Sequence, residues 1–522
     1  MFRTPAAETN MGRARAQRIY TKSIPAPVGG MNDRDALGAM DEKDAVILKN
    51  FWPLPSKVML RRGSPLWVSG IGSAVESLMG YAPKSGTAAL FGAAGTAFYN
   101  VTSTGTVGAA VVSSLTNARW QHVNVSNSGG NFLMAVNGAD KLRGWDGSSW
   151  WVDGDASHDI TGVDTATCNF ITLFKRRVWL VKASTASAWY LGVDAISGAA
   201  TELDLGPLFK RGGSLQAIAN WSLDAGIGID DYAAFISSQG EVALYKGSDP
   251  SSATTWALVG VFYLGAPIGR RCVAPLGGDV MLICRDGLVP LSKALMSSRV
   301  NSQIALTDKI LNTISEKVVL YGGNFGWQPL YYPGHDMVLL NVPVATGAQV
   351  QYVMNTVTGA WAQFTGWAAN CFEVFGNELY FGANGNVFKA FSGYADNGTA
   401  IQAEALQAFN YFGGESALKY FTMARPIIST TEDVSLLYGL NVDLDTTSQP
   451  DGTPTTTSVN SGEWGTGLWG TALWGGGLVQ QLNWQTFTGI GYSAAAHIKA
   501  ASASGQMEWS STDYGFQRGG VL

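Results

Sequence analysis

The sequence predicts an all-β chain, organised mainly as a β-propeller of about six to eight blades, with a short helical insertion and a C-terminal β module. Three observations predict it. Charged residues are only 14% of the 522, while Gly (64) and Trp (18) are plentiful, a balance that suits strands joined by tight turns. One hairpin template, an apolar run, a Gly-bearing turn and a second apolar run, returns from Tyr81 to Ala390. Its spacing is near that of four-stranded blades. A pair of stacked β-sandwiches would also produce many hairpins and is the competing architecture.

The elements follow in chain order. Residues 1–24 carry Arg3, Arg13, Arg15, Arg18 and Lys22 against Glu8, and read as a basic, flexible N-terminal arm. Such an arm can order against an acidic partner, so Arg13, Arg15 and Arg18 are candidate assembly contacts. Residues 25–80 read as N-terminal strands joining the propeller. The blades occupy 81–398. Their clearest hairpins centre on Gly95, Gly138, Gly240, Gly287 and Gly385, with looser copies near Trp179 and Leu339. Asn-Gly, Asp-Gly and Gln-Gly steps supply residues that tolerate positive φ in such turns. With Leu90, Leu133, Trp179, Ala234, Met281, Leu339 and Tyr380 as phase markers, the steps are 43, 46, 55, 47, 58 and 41 residues. The long step of 58 contains "ALTDKILNTISEKV", Ala305 to Val318, where Thr307 can cap a helix whose one face carries Ile310, Leu311, Ile314 and Val318.

After Gly398 the character changes. Long alternating runs such as "TMARPIISTTEDVSLLYGLNVDLDTT" mark 399–522 as a separate β module. Within it "EWGTGLWGTALWGGG" (463–477) repeats Trp-Gly every five residues, at Trp464, Trp469 and Trp474. Five fits neither regular element: a helix turns about 140° over five residues, and a strand alternates faces. A nucleic-acid stacking ladder is disfavoured, because the stretch has no Lys or Arg and begins with Glu463. A sugar platform remains open. Tight turns whose indoles pack under the chain or against a neighbouring subunit fit best.

Composition also excludes classes. Lys and Arg total 34 against 39 Asp and Glu, a formal charge of −5, which argues against a dedicated nucleic-acid binder. Cys168, Cys272, Cys284 and Cys371 show no CxxC spacing, so neither a zinc site nor a disulfide framework is expected. The N-terminus has no signal-peptide core and no long apolar run follows, so the chain is expected to be made in the cytoplasm and not to span a membrane. His122, His158, His335 and His497 have no ligand spacing, and neither a nucleophile elbow nor a Walker loop occurs. "DGDASHD" (153–159) reads as a solvated loop, with a cation site as the alternative. "SSTDYGF" (510–516) partly resembles the sialidase Asp-box through Ser511, Asp513 and Gly515, without its terminal Trp. No paired carboxylates can be assigned to glycosidase chemistry. The expectation is a non-enzyme without cofactor or metal.

One segment is more specific. Pro25 to Gly63 reads "PAPVGGMNDRDALGAMDEKDAVILKNFWPLPSKVMLRRG". Its Gly-Gly-x-Asn start, "AVILKNFWP" strand and Arg-Arg-Gly end resemble the opening of tail-hub proteins of short-tailed bacteriophages, the nozzle or packaged-DNA-stabilising proteins. "GLVPLSKALM…IALTDKI", "FTMARPIIST…LNVDLD" (Phe421 to Asp445) and the closing "WSSTDYGFQRGGVL" match as well. The resemblance implies a propeller subunit of the virion tail that assembles as a hexamer below the portal and adaptor proteins and carries tail fibres or a needle. It also implies that double-stranded DNA passes without sequence-specific binding and that the packaged genome is retained until ejection. The alternative is a carbohydrate-binding or glycan-cleaving propeller of the sialidase or tailspike kind.

Overall fold

Every hairpin glycine singled out in the sequence marks the same joint of a repeating unit. The computed structural model describes residues 18–224, 229–296, 304–432, 434–451, 455–457, 478–481 and 483–521. In it seven antiparallel blades are arranged as a closed β-propeller, the sixth of them continuous with an 11-stranded sheet. Blade 1 is Val75–Tyr81, Ala89–Ala94 and Ala97–Asn100, and blade 2 runs from Gln121–Asn127 to Trp150–Val152. Blade 3 runs from Cys168–Phe174 to Thr201–Asp204, blade 4 from Leu215–Asp224 to Trp256–Tyr263, and blade 5 from Val273–Leu276 to Gly287–Pro290. Blade 6 runs from Gln328–Tyr332 to Trp361–Phe364, and blade 7 starts with Cys371–Phe375, Glu378–Gly382 and Val387–Ala390. The seven phase markers all fall on the second strand of their blades.

Gly95, Gly138, Gly240, Gly287 and Gly385 all stand at the connection between second and third strands, with positive φ. At Gly240 (φ 81°) the requirement is double, since a Cβ there would also lie 2.4 Å from Leu264 O. The ring is closed from the N-terminal side. Leu66–Ser69 pairs antiparallel with Val387–Ala390, completing blade 7 with a strand that precedes blade 1. Blade 1 is then fastened to blade 7 by Ile71 N to Gly385 O and Val75 N to Ala383 O, both 3.0 Å. Closure of this kind ties the two ends of the ring together, while each blade keeps only short edges.

The helical insertion lies between blades 5 and 6, as a 3-10 turn Asp308–Ile310 running into the helix Leu311–Tyr321. Ile310 and Ile314 form its buried face. Thr307 does not cap it. That side chain is buried, and its Oγ1 accepts the N–H of Leu288 at 3.1 Å. The cap comes from Asp33, whose carboxylate accepts Asn312 N at 3.2 Å and Thr313 N at 2.6 Å.

Residues 25–80 do not simply join the propeller. Ile19–Pro25 pairs along Ser511–Gln517 of the strand Met507–Val521, and Val58–Leu60 pairs with the same strand at Glu508 and Trp509. Asp44–Lys49 pairs with Thr399–Gln407. The described strands of 399–522 and the N-terminal strands therefore form one two-sheet module. Ala417–Thr430 pairs along the whole of one edge of the 15-residue strand Met507–Val521, and the N-terminal strands Ile19–Pro25 and Val58–Leu60 take its opposite edge. The arm expected over 1–24 is accordingly a strand from Ile19 onward. Phe412, Phe421, Tyr514 and Phe516 pack between the sheets with ring centroids 5.0–6.0 Å apart. Tyr514 donates its hydroxyl to Gln407 Oε1 at 2.9 Å, inside the core. The sheet containing Asp44–Lys49 continues into blade 6 through the parallel contact of Lys49 with Gln363.

Candidate functional site

The residues that carried the family resemblance meet at the joint between the module and the propeller. "AVILKNFWP" is not one strand. It breaks at Asn50, which takes a left-handed φ of 56°. The freed Asn50 amide donates to Gln402 O at 2.6 Å and accepts Arg61 Nε at 2.9 Å and Thr365 N at 2.8 Å. Arg61 is 1% exposed. Its Nη1 donates to Arg62 O at 2.9 Å and Asp396 Oδ1 at 3.0 Å, and its Nη2 donates to Thr365 O at 2.6 Å and to Asp396 Oδ2. The guanidinium also stacks 5.0 Å from the Trp367 ring. Gly63 completes the Arg-Arg-Gly turn by close approach, since a Cβ there would lie 2.1 Å from Ala395 O.

The Gly-Gly-x-Asn start forms a second knot. Asn32 Nδ2 donates to Asp44 and Asp35 at 2.8 Å each, and Lys309 Nζ, from the insertion, donates to Asp44 Oδ1 at 2.8 Å and Gly29 O at 3.2 Å. These motif residues are structural ties. That role needed the three-dimensional pairing: the motif was visible in the sequence, its partners were not.

The outer face of the module's first sheet is the surface candidate. Register sets Ile19 opposite Gln517, Gln517 opposite Tyr420, and Tyr420 opposite Ile490, so the four share one row on one face. Ile490 is 61% exposed, and Ile19 and Tyr420 are exposed too. Two rows further on, Ser23, Asp513 and Arg425 align. Arg425 binds Asp513 Oδ2 through Nη2 at 2.6 Å and lies 4.7 Å from the Trp484 ring. The face thus mixes exposed apolar side chains with polar ones and carries a single ion pair along these rows.

Of the predicted site residues, Arg18 lies with its guanidinium 5.6 Å from the Tyr20 ring, which stacks on Phe516 on the face opposite Ile19. Arg13, Arg15, Trp464, Trp469 and Trp474 lie outside the described residues. The Asp-box likeness does not hold, because Ser511, Asp513 and Gly515 lie inside the long strand and form no β-turn. In "DGDASHD" the carboxylates serve the loop: Asp153 accepts Ile160 N at 2.8 Å and Thr165 Oγ1 at 2.5 Å, and Asp155 accepts Val152 N at 3.0 Å.

The histidines stay apart. His122 Nε2 is 3.4 Å from Glu373 Oε1, and His158 stacks on Trp151 at 4.3 Å. His335 packs against Phe391 at 4.7 Å, where burial lowers its pKa. His497 is buried between Ser448 O (3.1 Å) and Glu404 Oε1 (3.0 Å). The four thiols are free and buried. Burial pushes Cys168, Cys272 and Cys284 up to about 12 and Cys371 up to about 11. No described helix is long and apolar enough to cross a membrane.

No protein-family model matches the chain, and no curated protein does. Solved structures do show likeness. A PorZ surface component of the type-IX secretion system of Porphyromonas gingivalis shares 12% identity over 68% of this chain and 44% of its own, at a TM-score of 0.35. YCF48 bound to D1 peptide shares 13% over 53% and 97%, at 0.28. A glycoside hydrolase family 43 arabinoxylan arabinofuranohydrolase from Bacillus subtilis shares 10% over 82% and 87%, at 0.25.

Proposed function

We propose that this chain is a structural subunit of a short-tailed bacteriophage virion, the tail nozzle. In this reading it assembles as a ring of about six copies under the adaptor and portal, extends the DNA channel, retains the packaged genome and lets it pass during ejection. It acts without catalysis, and fibres or a needle attach to it.

The observation that carries the reading is the convergence of the resembling segments. Pro25 to Gly63, Phe421 to Asp445 and the C-terminal strand are far apart in sequence, yet they pair with one another in a single module. Shared motifs that meet as one structural unit are better support than the same motifs scattered. The module's outer face, with Ile19, Tyr420 and Ile490 exposed and one ion pair along its described rows, suits burial against a neighbouring subunit. A mildly acidic chain, at −5, also suits a conduit, because weak repulsion keeps phosphates from adhering.

Electron microscopy of the purified chain, alone and with a portal–adaptor complex, tests this. A closed ring of about six copies supports it. A chain that stays monomeric with those partners, or that cleaves glycans, overturns it.

A further inference from the structure

Three connections entering the inner strands of blades 2, 5 and 6 converge on the propeller axis and bring Arg119, Arg270, Arg271 and Phe325 together. Phe325 stands within reach of two guanidiniums, that of Arg119 at 4.4 Å and that of Arg271 at 5.3 Å from its ring centre. Arg271 Nη2 donates to Glu76 O at 2.8 Å and Ser77 Oγ at 2.7 Å, whereas its Nη1 is buried without a partner. Arg270 Nη1 donates to the Asn137 carbonyl at 2.9 Å. Beside them lies an axial cavity of about 300 Å³, lined in part by Arg271, Gln121, His122, Thr172, Gln328 and Glu373.

The charge balance of this mouth does not close. Arg119 has a carboxylate partner, Glu76, at 3.2 Å. Among the described residues neither Arg270 nor Arg271 has one within 4.0 Å. Glu373, whose Oε1 lies beside His122, is the other acid that faces the group. Guanidiniums therefore outnumber carboxylates three to two. Burial first, and repulsion from Arg119 after it, lower the pKa of both Arg270 and Arg271. Holding partly desolvated guanidiniums without full compensation is costly, and a chain with 39 acids to distribute places no third carboxylate there.

We propose that this axial mouth binds a small oxyanion, of carboxylate or phosphate type, held by Arg270 and Arg271 beside the Arg119–Phe325 stack. Planar guanidiniums match either anion with paired hydrogen bonds. The site is independent of the virion reading, since it depends on the propeller alone.

Isothermal titration of the full chain with sodium phosphate and, separately, sodium acetate tests the proposal, at ionic strength fixed by sodium chloride. Saturable binding of one equivalent is expected from at least one of them. The responding salt identifies the anion type. Arg270→Gln should weaken it about tenfold or more, the value of one charge-assisted hydrogen bond. Glu373→Gln, which removes a repelling carboxylate, should tighten it. Absence of saturable binding to both salts overturns the proposal, as does wild-type affinity in Arg270→Gln. If Arg270→Gln does not fold, Glu373→Gln decides alone: tighter binding supports the site, and unchanged or weaker binding overturns it.

Discussion

Replacing Arg61 with Met should loosen the joint between propeller and module more than any other single truncation there. A guanidinium has five N–H groups, and at Arg61 all five are used: one to Asn50, two to Asp396, and one each to the carbonyls of Arg62 and Thr365. Removing one member of a buried ion pair typically costs about 3–5 kcal/mol, mostly by stranding the other charge. Two features place this site at the lower end. The Asp396 side chain is 17% exposed, so water can reach it. It also keeps Ser64 Oγ at 2.8 Å and Trp367 Nε1 at 3.3 Å as donors. The expected loss is therefore about 3 kcal/mol.

Urea unfolding followed by tryptophan fluorescence and circular dichroism measures it, with coincidence of the two probes checked first in a chain of this size. The decisive variant is the double one, Arg61→Met with Asp396→Asn. Asparagine still accepts from Ser64 and Trp367 but carries no charge to strand, so the double variant should be more stable than Arg61→Met by about 1 kcal/mol or more. A loss below about 1 kcal/mol for Arg61→Met would refute the reasoning. So would an Asp396→Asn cost that simply adds to it, because the pair would then not be coupled.

Asp33→Ala should remove the distant cap of the helix Leu311–Tyr321 and cost about 0.5–2 kcal/mol, whereas an unchanged unfolding midpoint would show that Asp33 does not cap. The four buried thiols, with pKa values pushed up by burial, should not react with a thiol reagent at pH 8 in the native chain and should all react in denaturant; one rapid native equivalent counts against this. Asp35 is held at about 2, against 3.8 unperturbed, chiefly by the Arg34 guanidinium and then by Asn32. A carboxylate lowered on folding adds stability above its unfolded pKa and loses it as pH falls through the folded value, so this contribution should decline between about pH 4 and pH 2 and vanish below that. The pair is solvent-exposed, so Asp35→Asn should cost under about 1 kcal/mol at pH 7 and much less at pH 2. An equal cost at both pH values would contradict the assignment.

Blade phase was legible because it is local. Each unit repeats an apolar strand, a turn that needs positive φ and another apolar strand within 41–58 residues, and the markers Leu90 to Tyr380 therefore all fell on equivalent strands. Pairings that span hundreds of residues left no comparable trace. Nothing near Leu66 announces that it closes blade 7 against Val387–Ala390. Nothing near Ile19 names Ser511–Gln517 as its partner. Thr307 looked like a helix cap because Thr before an amphipathic run commonly is one. Tertiary structure instead used its hydroxyl for Leu288 and supplied the cap from Asp33.

Those non-local ties also decide how the two parts can move. A linker of one strand would leave module and propeller free to swing, the default for separate domains. Here the connection is made in several separate places. Lys49 and Gln363 run the module's sheet into blade 6. Arg61 joins Asn50 and Thr365 to Asp396. Asp33, Asn32 and Lys309 tie the N-terminal segment to the insertion. Rotation about any one link would break the other two, at several kcal/mol for the buried guanidinium alone. The row Ile19, Gln517, Tyr420 and Ile490 is therefore held at a fixed orientation to the propeller axis, which a neighbouring copy needs if repeated contacts are to close a ring instead of winding into a filament. In the proposed ring, loosening Arg61 should accordingly blur closure before it unfolds either part.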